Sequence, residues 1–224
     1  MKVAIVTATP FEIAPTIQWL ETHFVSTEIG VFGLKELEVN VVVTGVGMVA
    51  TAWQLSRYLS ANKPDLLINA GIAGALDRSL QIGEVVHITE DFFADLGAED
   101  KDGRLLDVFE LGLVEENQFP YIEKKLFNPN ATSANFLPAV KGITVNKAHG
   151  SAQSIEFLKA EHPDAQTESM EGAAVFYGCL VSEIRFLQIR SISNYVEPRN
   201  REAWNIALAI QNLNSCLIEI IQSL

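Results

Sequence analysis

The sequence predicts an α/β fold in which helices cover both faces of a mainly parallel or mixed sheet. Short apolar segments rich in β-branched residues alternate along the chain with longer segments of helical character. The 224 residues, 48% of them hydrophobic, suffice for one sizeable core. No break in composition, low-complexity tract or internal repeat divides them, so we expect a single domain over residues 1–224.

The elements follow from local signals taken in order along the chain. Pro10 suits a first helical turn, a Gly-Val-Gly turn leads into the second helix, and Pro64 ends that helix. The polar residues 101–107 predict a loop. The predicted strands are residues 2–8, 37–44, 65–70, 84–89, 142–145 and 186–192. The predicted helices are residues 10–24, 48–61, 151–160, 171–181 and 201–224.

Charge and composition exclude several classes of partner. The formal net charge is −12, and no basic stripe is present to neutralise the phosphates of a nucleic acid or an anionic membrane. No apolar run approaches the roughly 18 residues of a membrane helix, and the N-terminal residues enter a strand pattern without a signal peptide. The two cysteines match no zinc motif. We therefore expect a cytoplasmic protein without metal or cofactor, and without nucleic-acid or membrane partners.

Candidate functional residues cluster where strands end, which is where ligands bind in such folds. Each has a structural alternative. Glu12 in a first turn is explained by the helix dipole alone, and the glycines of residues 69–74 by a tight turn. Glu171 suits a simple helix cap. The turn at residues 44–47 resembles a shortened phosphate loop but lacks the Lys-Ser/Thr ending. Arg190, inside an apolar strand, requires pairing; an ion pair with Glu12 or Glu171 and a functional role both remain open.

Together these motifs resemble the nucleoside phosphorylase/hydrolase superfamily, and within it the nucleosidase branch, over nearly the whole chain. Residues 93–100 and 193–200 are most similar to the futalosine hydrolases, which act on the futalosine route to menaquinone. The methylthioadenosine/S-adenosylhomocysteine nucleosidases of the same branch are the alternative. The motifs that carry the resemblance are Glu12, Gly45-Val46-Gly47, Asn69-Ala70-Gly71-Ile72-Ala73-Gly74, Met170-Glu171 and Arg190-Ser191-Ile192-Ser193-Asn194.

The resemblance implies a three-layer α-β-α sandwich with a central mixed sheet, a purine nucleoside substrate, and a homodimer or higher homo-oligomer in which the partner closes the pocket. It also implies roles. Glu12 would activate the attacking water, and Arg190 would help to orient the water and Glu12. Glu171 would bind the ribose hydroxyls, and Met170 would pack beneath the sugar. Asn194 would face the purine N7. Further substrate contacts are expected at Ser169, Ile72 and His149; for His149 a solvent-exposed loop position is an equal alternative.

Two departures from the relatives sharpen the expected substrate. Asn194 stands where adenine-releasing relatives carry aspartate, and its amide offers one acceptor for N7–H and one donor for a 6-oxo group. The same donor would oppose a 6-amino group, so we expect hypoxanthine to leave. Ile72 replaces a serine near the ribose. No cation follows the first strand to hold phosphate, which favours a hydrolase over a phosphorylase. A non-catalytic nucleoside-binding protein is the alternative from another class.

Overall fold

A computed structural model describes all residues, Met1–Leu224. It contains twelve strands and five α-helices, joined in places by 3₁₀ turns. The strands are β1 Lys2–Thr7, β2 Val25–Glu28, β3 Val31–Leu34, β4 Leu37–Val43, β5 Leu66–Ala75, β6 Val85–Asp91, β7 Gly97–Glu99, β8 Leu105–Asp107, β9 Leu126–Phe127, β10 Ala139–Thr144, β11 Thr167–Ser169 and β12 Phe186–Tyr195. The helices are α1 Ala14–His23, α2 Met48–Ala61, α3 Ala152–Glu161, α4 Gly172–Val181 and α5 Ile206–Ser223.

Ten of the strands form one mixed sheet. Its order is β11-β10-β6-β12-β5-β1-β4-β3-β2, and β9 pairs with β6. The four strands β4, β1, β5 and β12 are mutually parallel, so their carboxyl ends lie at one edge. Strand β6 runs antiparallel to β12, and β10 and β11 follow the direction of β6. The mixed sheet is therefore confirmed, with a parallel centre that brings several of the polar strand ends together.

One end of the sheet curls back on itself. The short strand β11 pairs in parallel with β10 and also, antiparallel, with the last residues of β5, where Thr167 faces Ala75 and Glu168 faces Gly74. The five strands β5, β12, β6, β10 and β11 thus close into a ring. This closure carries residues of β11 next to the end of β5, far from them in sequence.

The two faces of the sheet carry separate cores. In β1, Val3 and Ile5 pack with α1 and α5, whereas the alternating Ala4 and Val6 pack with α2 and α4. Alternate side chains of a strand point to opposite faces, so an uninterrupted apolar strand is expected where both faces are covered. The three-layer α-β-α arrangement is confirmed. No helix is both long enough and apolar enough to cross a membrane.

Several element boundaries differ from the sequence-based prediction. The expected helix at residues 10–24 is a 3₁₀ turn, Pro10–Ile13, followed by α1. The glycine-rich residues 71–74 continue β5 rather than turning, because both neighbouring strands pair with them. The predicted loop at residues 101–107 contains β8, which pairs with β7 in a separate two-stranded sheet. The β2–β3 hairpin, mostly polar and exposed in β2, was not predicted.

Candidate active site

Glu12, Gly71 and Arg190 meet where β1 ends beside the middle of β5 and β12, in which Gly71 and Arg190 pair with each other. Glu12 lies in the 3₁₀ turn after β1, and its Oε1 accepts a hydrogen bond from the backbone N of Ile72 at 3.2 Å. A Cβ added to Gly71 would lie 2.9 Å from this oxygen and 3.6 Å from Nη1 of Arg190. The carboxylate and the guanidinium therefore both lie against the bare backbone of β5, which explains the glycine there.

The second oxygen of Glu12 is fixed by the end of its own strand. Oε2 accepts from the backbone N of Thr9 at 3.0 Å, from Thr9 Oγ1 at 3.1 Å and from Thr7 Oγ1 at 3.3 Å. A carboxylate oxygen that accepts several hydrogen bonds is held in one orientation. Glu12 thus caps its turn with Oε2 and presents Oε1 toward Gly71 and Ile72, which is more than a contribution to a helix dipole.

Arg190 is almost completely buried, with 2% of its surface exposed. Its Nη1 donates to the carbonyl oxygens of Asn69 at 3.2 Å and Ile189 at 3.1 Å, and its Nε has no partner. No salt bridge joins it to Glu12 or Glu171, so the structural ion pair is not present. Burial lowers the pKa of the guanidinium, and the nearby carboxylates of Glu171 and Glu12 oppose that shift. The site therefore holds a buried cation with unused donor capacity.

Glu171 occupies the N-cap position of α4 but does not cap the helix with its side chain. Instead Oε1 accepts from the backbone N of Gly47 at 2.9 Å. Burial raises the pKa of the Glu171 carboxyl, while the Gly47 amide and the Arg190 charge lower it. The simple-cap interpretation is wrong, and so is the phosphate-loop interpretation of residues 44–47, because the amide of Gly47 already binds a carboxylate. The left-handed conformation of Gly47, with φ 90°, favours glycine there.

A buried polar chain lies behind these groups. The Asn69 side chain donates to Gln188 at 2.8 Å, Gln188 donates to Asp91 at 2.7 Å, and Thr144 donates to Asp91 at 2.9 Å. Thr144 in turn accepts from the backbone N of Ala173 in the first turn of α4 at 2.7 Å. Burial raises the pKa of Asp91 to about 6. This network of hydrogen bonds connects Asn69, whose carbonyl oxygen accepts from Arg190, to helix α4, which begins after Glu171.

The same hydrogen-bond network explains why the residue after Glu171 is a glycine. A Cβ on Gly172 would lie 2.2 Å from Oδ2 of Asp91 and 2.4 Å from Nε2 of Gln188. Sequence reasoning missed Asp91 and Gln188 because each is one of several polar residues interspersed with apolar ones in its strand, a pattern that singles out no one residue.

Asn194 lies beside Gly74, after an irregularity in the pairing of β12 with β5 between Ile192 and Asn194. Its Nδ2 donates to the carbonyl oxygen of Tyr195 at 2.9 Å, and its Oδ1 accepts from Ser193 Oγ at 2.7 Å. Because a carbonyl oxygen can only accept, the contact with Tyr195 identifies the NH₂ end of the amide. One N–H and one lone pair of the side chain remain available.

The other predicted substrate contacts lie around the end of β11. Ser169 ends this strand, and its Oγ accepts from the backbone N of Gly172 at 3.4 Å; Met170 follows, half-buried, before α4. His149 is not a freely exposed loop residue, because both its backbone N and its Nδ1 contact the carboxylate of Glu168, which is 6% exposed. No group of three or more His, Cys, Asp or Glu residues is arranged to hold a metal ion.

Comparison with known proteins identifies the family of the chain. The model of the phosphorylase superfamily matches residues 2–222. The chain belongs to the phosphorylase superfamily. Two superfamily relatives are a futalosine hydrolase of Streptomyces coelicolor, 33% identical over 68% of this chain and 63% of the relative, and a 5′-methylthioadenosine/S-adenosylhomocysteine nucleosidase of Staphylococcus aureus, 28% identical over 72% of this chain and 70% of the relative.

A solved structure of the superfamily shares the fold along the full chain. The native structure of futalosine hydrolase of Helicobacter pylori superposes with a TM-score of 0.81 at 18% identity, covering 100% of this chain and 98% of that one. The match to the Streptomyces coelicolor relative, in contrast, spans somewhat less than two thirds of that protein's length. The superfamily fold is thus shared throughout, while sequence similarity is confined to part of the curated relative.

We predict that Gly71→Ala disrupts the site without unfolding the protein. The new methyl group would press against Oε1 of Glu12, and since a misplacement of about 1 Å can cost about 10²-fold in rate, we expect a loss of that size in the activity of the site. Gly33→Ala is the matched control, because a Cβ there has its nearest contact at 3.7 Å. Equal activity of the two variants, with equal thermal midpoints, would contradict the assigned position of Glu12.

Proposed function

We propose that the protein hydrolyses the N-glycosidic bond of futalosine and releases hypoxanthine and dehypoxanthinyl futalosine, a step of menaquinone biosynthesis in the cytoplasm. The observation that carries the proposal is the fixed amide of Asn194, which offers one acceptor and one donor at the position expected to face the purine. The relative of Streptomyces coelicolor that bears the name futalosine hydrolase supports the same substrate.

Glu12 is the proposed general base. Its Oε1 makes only one hydrogen bond, from Ile72, and so retains a lone pair for a water molecule. A positioned general base contributes about 10²–10⁴-fold to rate. Arg190 is always charged and can only donate; its Nη1 lies 3.6 Å from the position of a Cβ on Gly71, as Oε1 of Glu12 lies 2.9 Å from it, so the guanidinium would help to hold the same water.

Glu171 is the proposed ribose ligand. The bond breaks through a sugar with developing positive charge, and a buried carboxylate that accepts from the ribose hydroxyls both orients the ring and favours that charge. Oε1 of Glu171 is held by Gly47, which leaves Oε2 for the hydroxyls. Met170 and Ser169, which precede Glu171 in the sequence, would pack against the sugar. Ile72 has no side-chain hydroxyl, so it would contact the substrate through its backbone only.

Asn194 is the proposed leaving-group ligand. With its NH₂ end identified by the Tyr195 carbonyl, the second N–H can donate to O6 while Oδ1 accepts from N7–H. A 6-aminopurine would face the same N–H with another donor, and leaving a buried donor unpaired costs about 1–3 kcal/mol. The geometry therefore favours a 6-oxopurine as the leaving base.

The decisive experiment compares base release from futalosine, inosine and methylthioadenosine by the purified protein. We expect hypoxanthine release from futalosine to be fastest, and Glu12→Gln to bind product while losing at least about 10²-fold in rate because the base is neutralised. Faster adenine release from methylthioadenosine would refute the futalosine assignment. Binding of futalosine by the unaltered protein with no release of base would establish the non-catalytic alternative.

The competing activity is that of a methylthioadenosine/S-adenosylhomocysteine nucleosidase, supported by the 28% identical relative of Staphylococcus aureus. The variant Asn194→Asp separates the two. Replacing the donor by a second acceptor should raise the rate on 6-aminopurine nucleosides relative to 6-oxopurine ones by about tenfold or more. The ratio of kcat/KM values measures the change. An unaltered ratio would show that Asn194 does not select the base.

We further propose that the protein is a homodimer or higher homo-oligomer that completes the pocket. Large apolar side chains are exposed beside the site. On α2, Val49 and Trp53 are 82% and 66% exposed, and on the neighbouring α4, Tyr177 and Val181 are also exposed. Residues four apart share one face of a helix, so both helices present an apolar stripe. Val46, exposed between the two glycines of the turn that holds Glu171, extends this surface to the site.

We predict that Trp53→Glu weakens self-association. A buried charge without a partner is costly at an apolar interface, so sedimentation should report a smaller species and activity per chain should fall. Ile29→Glu is the matched control, since Ile29 is fully exposed on the β2–β3 turn, away from this surface. If the two variants sediment alike, this surface is not the interface.

A further inference from the structure

Glu168 is a buried carboxylate with no role in the steps described above. It lies in β11, is 6% exposed, and its only side-chain partner is His149. Burial of a charged group is expensive unless the charge is compensated, yet no lysine or arginine contacts it. Each carboxylate oxygen accepts one hydrogen bond, Oε1 from the backbone N and Oε2 from Nδ1 of His149. Each therefore retains a lone pair.

Strand pairing places Glu168 on the same face as Asn194. Gly74 of β5 pairs with Glu168 on one side and with Asn194 on the other. Side chains of residues directly paired across strands lie on one face. The Cβ direction of Gly74 points to that face, because an added Cβ would lie 2.9 Å from Cγ2 of Val196 and 3.3 Å from Nδ2 of Asn194. The amide and the carboxylate thus lie on one face of the sheet, on the two strands that flank Gly74.

We propose that Glu168 is a specificity-determining residue that accepts a hydrogen bond from N1–H of a 6-oxopurine. The inference rests on the proposed release of such a base. A 6-oxopurine presents O6 as an acceptor and N1–H as a donor, whereas a 6-aminopurine presents a donor at N6 and a lone pair at N1. A carboxylate that faces N1 accepts from the N1–H of a 6-oxopurine but opposes the N1 lone pair of a 6-aminopurine, just as the N–H of Asn194 complements O6 but opposes an amino group.

The role of His149 follows from the same contacts. It holds both oxygens of Glu168, so the carboxylate is oriented before the base binds and loses little freedom on binding. The loop that carries His149 is tied at its other end, where Asp95 accepts from the backbone N and the side chain of Asn146. His149 is therefore a positioning residue for Glu168.

The binding of free purine bases tests the proposed contact of Glu168 with N1–H, independently of the 5′ substituent of the nucleoside. Calorimetric titration of the unaltered protein should show hypoxanthine binding about 10–100-fold more tightly than 1-methylhypoxanthine, which lacks N1–H and leaves the carboxylate unpaired. Adenine should bind weakly for the same reason. Equal affinities for hypoxanthine and 1-methylhypoxanthine would overturn the proposal, and no variant is needed to obtain that result.

The variant Glu168→Gln supplies the second measurement. Its amide keeps the shape and can turn its NH₂ toward N1 of adenine, so the preference for hypoxanthine over adenine should fall by about tenfold or more. Glu156→Gln, an exposed position on α3, is the matched control and should change nothing. An equal loss of both affinities would show that Glu168 only anchors the loop. Intact base discrimination in a protein that does not cleave futalosine would refute the proposed substrate but not this inference.

Discussion

The buried guanidinium of Arg190 is the constraint on which the site depends. The N–H donors of a guanidinium buried in a sheet need acceptors. Here only two backbone carbonyl oxygens, those of Asn69 and Ile189, accept from Arg190. Its electrostatic compensation comes from carboxylates that lie nearby without forming a salt bridge, Glu12 and Glu171 foremost. Such an arrangement keeps hydrogen-bonding capacity for a ligand. Preorganised charge of this kind costs folding energy and lowers the barrier of a reaction in which charge develops.

Close approach of side chains to backbone makes this arrangement possible. Gly71 lets Glu12 and Arg190 lie against β5, Gly172 lets the buried chain through Asp91 pass beneath α4, and both positions are closed to a Cβ. Gly71 is therefore not part of a tight turn, the alternative that the sequence pattern left open, and at both glycines the missing side chain makes room for other groups. One consequence is rigidity, because the groups are held by main-chain donors and acceptors whose positions the sheet fixes.

Local sequence signals predict the parts of this site that lie on parallel neighbours. Glu12, the glycines of β5 and Arg190 were each expected near a strand end, where ligands bind in such folds, and they do meet because β1, β5 and β12 are parallel neighbours. The direction of β6 and the pairing of β11 could not, since they depend on contacts between distant segments. The same limit explains the helix-cap interpretation of Glu171: the partner that overrides it, Gly47, is 124 residues away.

The proposed selection of the base depends most on this long-range pairing. Asn194 was interpretable from sequence because its chemistry differs from the aspartate of adenine-releasing relatives at a matching position. Glu168 could not be interpreted from the sequence, because its position beside Gly74 depends on the pairing of β11 with β5. The two groups that the proposal assigns to adjacent atoms of one purine edge therefore come from β12 and β11, two strands that do not pair with each other but both pair with Gly74 of β5. The antiparallel contact between β11 and β5 consists of only two residue pairs, and this contact sets Glu168 on the same face as Asn194. Because Gly74 has no side chain, those of Val196 and Asn194 can lie against the backbone between the two strands.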